Sequence, residues 1–147
     1  MKRIYPLLIV LLMAAPLVGG CSGQSNHASQ QPFGLAALEQ MPAEVRQAPV
    51  TVQQAYQFAA SNPDILTELP CYCGCGAMGH QSNYHCYIQA GSQADDLVYD
   101  NHALGCSICV DITQDAMRLL ADGQNIEQIF QYVDATYSRF GPATPLQ

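Results

Sequence analysis

Three cysteines alternate over five residues, Cys71-Tyr72-Cys73-Gly74-Cys75, and three more stand at Cys86, Cys106 and Cys109. Sulfur at this density restricts the folds open to the chain more than any helix or strand pattern does. Cysteines in a C-x-C-x-C run pair poorly with one another, so each needs a partner brought from elsewhere. Gly74, Gly76 and Gly79 allow tight backbone turns, so the thiols line one face if the run is a strand and converge if it is a turn. If Cys106 and Cys109 open a helix, their i, i+3 spacing sets both sulfurs on one side of its first turn. There the amide hydrogens and the positive dipole end favour thiolate over thiol. His80 follows Cys75 by five residues and His102 precedes Cys106 by four, so each cysteine cluster has an imidazole within reach.

The N-terminus sets the compartment. Lys2 and Arg3 precede an apolar run from Ile4 to Val18, followed by Gly19-Gly20-Cys21. A positive start, an apolar stretch and small residues make an export signal, expected over residues 1–20. The run is shorter than the ~20 residues of a bilayer span and is interrupted by Pro6 and Pro16. Leu17-Val18-Gly19-Gly20-Cys21 resembles a bacterial lipobox, which implies acylation of Cys21, palmitate-type chains included, and anchorage to an extracytoplasmic membrane surface. Residues 21–32 read as a flexible tether, with His27 a solvated linker residue, and residues 33–147 as the domain.

Charge narrows the partners. The whole chain carries −7, and removal of Lys2 and Arg3 makes it −9, with three arginines, no lysine and twelve carboxylates. Such a surface has no means of neutralising phosphates, which excludes nucleic acid and favours cations.

Two readings of the cysteines stay open. In an oxidising compartment six cysteines in a small domain make three disulfides, with Cys86, Cys106 and Cys109 as the partners of the run. Dense thiolates beside imidazoles are also what soft or borderline cations select, Cu(I) foremost and Zn(II) next, with an iron-sulfur cluster less suited. The candidate ligands are Cys71, Cys73, Cys75, Cys86, Cys106, Cys109, His80 and His102; eight donors suit two four-coordinate ions or one thiolate-bridged cluster. Met78 reads as a gap filler and His85 as a surface residue. An enzyme is not expected. The C-x-x-C pair lacks a βαβ context, Val110 rather than a haem-binding His follows Cys109, and serine triads and phosphate loops are absent.

The apolar pattern is helical. A short helix is expected near Leu35–Gln40, then extended chain to Pro49. Thr51 and Gln54 have capping-box spacing for a helix over Val52–Ser61, burying Val52, Ala55, Tyr56 and Ala59. Asn62 caps a second, with Pro63 at its first position and Ile65, Leu66 and Leu69 buried, stopped by Pro70. Thr113 caps a helix burying Ala116, Met117, Leu120 and Ala121 and ending at Gly123; Asn125 caps the last, with a stripe of Ile126, Ile129, Phe130, Val133 and Tyr137. Strand-like alternation is confined to stretches such as Asp95–Asp100. The expected fold is mostly α, a small irregular helical domain with a Cys/Gly-rich central loop organised around a Cys/His metal site or disulfides.

Pro70-Cys71-Tyr72-Cys73-Gly74-Cys75-Gly76, with Gly79-His80 and Cys86 after it, is similar to the bacterial lipoprotein family named for its PCYCGC motif. His102 and Cys106-Ser107-Ile108-Cys109-Val110 resemble that family's second cysteine cluster, and the likeness spans about residues 50–140. The resemblance implies the lipoprotein location, the coupling of the two clusters and metal binding. The expectation is an extracytoplasmic, membrane-anchored protein for copper sequestration or handover, with a metal donor or acceptor protein as partner. The alternatives are a disulfide-stapled interaction module and a redox carrier.

Overall fold

The computed structural model describes residues 31–146. The expected signal, Cys21 and His27 lie outside them. Within them the chain is helical: α1 Ala43–Arg46, α2 Val50–Ser61, α3 Pro63–Leu66, α4 His102–Gly105, α5 Ser107–Ala121 and α6 Ile126–Tyr137, with short 3-10 turns between. None of these helices is long and apolar enough to cross a membrane.

Prolines start helices here as well as stopping them. Extended chain was expected after Gln40, yet Pro42 (φ −52°) stands ahead of α1 and Pro49 (φ −54°) ahead of α2. A fixed φ close to the helical value and a missing N–H suit a helix start. Leu35–Gln40 itself contracts to a 3-10 turn at Leu38–Gln40. Pro49 moves the start of α2 two residues ahead of the expected position, which places Thr51 inside the helix and leaves the Thr51/Gln54 capping box unmade. At α3, Asn62 holds the N-cap position without capping; its side-chain amide donates to the carbonyls of Gly34 and Phe58 at 2.8 Å.

The long helix also begins earlier than its Thr113 signal. Cys106 is the N-cap of α5, so Cys106 and Cys109 do open the helix, and Thr113 is buried in its interior. Its hydroxyl bonds back toward the Cys109 carbonyl at 3.2 Å, a local bond that substitutes for a capping role. At α6 the expectation holds in full: Asn125 accepts from the Gln128 amide while the Gln128 side chain accepts from the Asn125 amide.

Helix α5 packs against both α2 and α6. Its face of Cys109, Val110, Ile112, Thr113, Ala116 and Met117 joins Ala55, Tyr56, Phe58 and Ala59 of α2 and Ile129, Val133 and Tyr137 of α6 in one core. Tyr56 and Tyr87 meet edge to face, 4.9 Å between ring centres. The cysteine run enters this core directly after the buried Leu69, and Cys71, Cys75, Cys86 and Cys109 are part of it. Between Cys86 and α4 the chain makes an excursion closed by isolated antiparallel bridges, Ile88 with Tyr99 and Gln93 with Asp96; the alternation near Asp95 is too short to build a strand.

Candidate metal centre

Three segments bring sulfur to one place. The first is the run after Pro70, which turns rather than extends. Gly74 (φ 86°) and Gly79 (φ 92°) bracket a 3-10 turn over Cys75–Met78, and both adopt left-handed backbone that costs other residues energy. The second is the turn Tyr84–Cys86, which carries Cys86 inward. The third is the corner between α4 and α5, with His102 at the start of one and Cys106 at the start of the other.

The donor atoms fall into two groups. Those of Cys73, His102, Cys106 and Cys109 all lie within 4.8 Å of one another, as do those of Cys71, Cys75 and Cys86. The groups abut. Cys71 Sγ is 3.4 Å from Cys73 Sγ and 3.4 Å from Cys109 Sγ; Cys73 Sγ is 3.6 Å from Cys109 Sγ and 3.4 Å from His102 Nε2; Cys75 and Cys86 sulfurs are 3.7 Å apart. All six are free thiols. A disulfide needs about 2.05 Å and joins sulfurs one to one, whereas here Cys71, Cys73 and Cys109 each touch the other two. The spacings match another geometry: zinc–thiolate bonds of about 2.3 Å in a tetrahedron set sulfurs roughly 3.8 Å apart. This Cys/His cluster has the donor chemistry and spacing to hold metal.

Neighbouring thiols influence one another's acidity. Hydrogen bonding with Cys109 lowers Cys71 to about 7, and hydrogen bonding with Cys86, helped by His102, lowers Cys73 to about 4. Cys75 is lowered through Cys109. The other three move the opposite way: contact with Cys109 raises Cys86, burial raises Cys106, and contact with Cys71 raises Cys109. At Cys106 and Cys109 these influences oppose the preference of the helix start for thiolate. Burial and neighbouring thiolates act against charge here, and six anions cannot be packed together without a cation among them.

A family model described as a protein of unknown function with PCYCGC motif matches residues 9–147. The chain belongs to the PCYCGC family. No curated protein and no solved structure matches it.

In this PCYCGC protein the seven donors of the two groups come from the eight sequence candidates, and His80 is the one set apart. Its ring packs edge-on against His102 at 5.1 Å, with Nε2 3.9 Å from Asp100 and Nδ1 buried without a partner. It follows the left-handed Gly79 directly and belongs to neither donor group. Asp100 also accepts from the His102 amide at 2.8 Å and thereby fixes the start of α4. Met78 is exposed rather than filling a gap, and half-buried His85 accepts from the Gln81 amide at 3.1 Å.

Supports of the cluster that no cysteine pattern announces are polar. The Tyr87 hydroxyl donates to the Cys109 carbonyl at 2.8 Å and lies 2.8 Å from the Thr113 hydroxyl, which accepts from the buried Asn83 side chain at 2.7 Å. The C-terminal segment crosses the run as a strap: Thr144 donates from its amide to the Cys71 carbonyl and accepts the Cys71 amide on its hydroxyl, both at 2.9 Å. Gly141 passes so close that a Cβ there would lie 2.9 Å from the Tyr72 carbonyl oxygen. Thr113, Gly141 and Thr144 lie far from the run in sequence; the one local hint of the strap is the cluster of small residues and prolines after Phe140.

Proposed function

We propose that this protein is an extracytoplasmic lipoprotein, anchored through Cys21, that binds soft metal ions, Cu(I) foremost, for sequestration or handover. The observation that carries the reading is the convergence of six thiols and one imidazole, from three separate segments, into two touching donor groups. Six sulfurs to one nitrogen is a soft donor set, which suits Cu(I) and then Zn(II). The acidic surface draws cations in without selecting them, and the thiolates select by softness. A tether of about eleven residues gives the centre reach toward a membrane-bound metal donor or acceptor. The role is binding rather than catalysis.

Native and denaturing mass spectrometry of the mature protein, extracted from membranes in detergent without chelator, tests this. The expected result is a bound copper mass, with six thiols alkylatable once the metal is removed. Zinc in its place keeps the metal reading and overturns copper. A metal-free protein lighter by two hydrogens for each of three bridges overturns metal binding and leaves a stapled scaffold.

A further inference from the structure

The seven donors are one short of two four-coordinate ions. Cys73, His102, Cys106 and Cys109 complete one set by themselves, and Cys71, Cys75 and Cys86 make only three. The missing donor must come from a neighbouring group, and the candidates are the two sulfurs of the first set that touch Cys71 at 3.4 Å, Cys73 and Cys109. They differ in position. Cys109 is fully buried at the core side of the cluster, whereas Cys73 is partly exposed.

We infer that Cys109 is a bridging thiolate: it completes the ligand set of Cys71, Cys75 and Cys86 while remaining a ligand beside Cys73, His102 and Cys106, so that the protein holds two ions in one sulfur-bridged centre. This rests on the metal-binding reading and adds its stoichiometry and its shared atom. Four donors each for two ions require eight metal–ligand bonds, and seven donors supply eight when one sulfur bonds twice. Thiolate sulfur has the lone pairs to do so; imidazole nitrogen does not. Cys109 is also the thiol best held for a double role. It sits in the first turn of α5, and its carbonyl is fixed by the Tyr87 hydroxyl. Loading is then cooperative, because the first ion orders and deprotonates a ligand of the second.

Cadmium-113, a soft four-coordinate probe, reads this directly. The mature protein in detergent, loaded with two equivalents of 113Cd(II), should give two resonances, each split into a doublet by the other through the shared sulfur. Cys73→Ser and Cys106→Ser should each retain one ion, held by Cys71, Cys75, Cys86 and Cys109, and Cys109→Ser should retain neither tightly. Two unsplit resonances, a single bound ion in the wild type, or one tight ion in Cys109→Ser would overturn the bridge while leaving metal binding in place. No cadmium bound at all would overturn both. The wild-type splitting needs no substitution, so a Cys109→Ser chain that fails to fold leaves the decision with that spectrum.

Discussion

Cys109 is constrained from both ends, its sulfur by the other thiols and its backbone by a buried hydroxyl network. The Tyr87 and Thr113 hydroxyls and the Asn83 amide hold one another and the Cys109 carbonyl at 2.7–3.2 Å. Tyr87→Phe removes the donor to that carbonyl and leaves polar partners buried, which should cost about 1–3 kcal/mol of stability in urea unfolding of the metal-free protein. Metal affinity should fall with it, since the ligand backbone loosens. Gly74 is a different kind of constraint, one of backbone alone. A Cβ there meets nothing within 4 Å, but its φ of 86° is left-handed. Gly74→Ala should therefore destabilise by about 1–2 kcal/mol without any clash. Such residues are legible in part: the glycines stand out in the run, whereas Asn83, Tyr87 and Thr113 look like ordinary polar residues until the fold buries them together.

At the scale of elements, helix starts and one strap place the ligands. The corner between α4 and α5 sets His102 and Cys106 at successive helix starts, and the strap after α6 clasps Cys71. Thr144→Val keeps the shape of the strap but removes the acceptor for the buried Cys71 amide. Unfolding should become easier by about 1–3 kcal/mol, and alkylation of Cys71 in the metal-free protein should be faster, as followed by peptide mass mapping. An unchanged alkylation rate would mean that the strap covers the run without securing it. Helix α6 depends on its capping box, so Asn125→Ala should cost about 0.5–2 kcal/mol with little effect on metal stoichiometry, because α6 supplies no ligand. The helices were readable from apolar spacing. Their starts were less so at Pro42, Pro49 and Cys106, where backbone geometry outweighed side-chain capping signals.

In the whole molecule the cysteine cluster and the apolar core are one structure, since Cys71, Cys75, Cys86 and Cys109 belong to both. Any metal held there would add to folding energy. Loaded protein should melt at a higher temperature than metal-free protein by circular dichroism, and a chelator should reverse the gain. The buried tyrosines set the alkaline limit. Burial raises the hydroxyls of Tyr56, Tyr72, Tyr87 and Tyr137 above their ordinary value of 10.0. A raised pKa means that the folded state favours the neutral phenol. The associated stability is complete below pH 10, where both states are protonated, and is lost as the pH climbs past 10 and only the unfolded chain ionises freely. Tyrosinate absorbance should accordingly rise together with unfolding above pH 10, and a rise that leaves the helices intact would contradict this.

The sequence by itself determined the helical class, the cap of α6, the acidic surface, and the cysteines and His102 as one chemical unit. Residue type, glycine spacing and apolar periodicity are local properties that survive in a linear string. Only the tertiary structure decided that the thiols form two touching groups rather than pairs, that His80 packs on His102 without joining either group, and that Thr144 and Gly141 close over the run. Those outcomes depend on where α5, the turn at Gly79 and the C-terminal strap meet in space. Contacts of that kind are fixed by packing against the shared core, so no spacing along the chain records them.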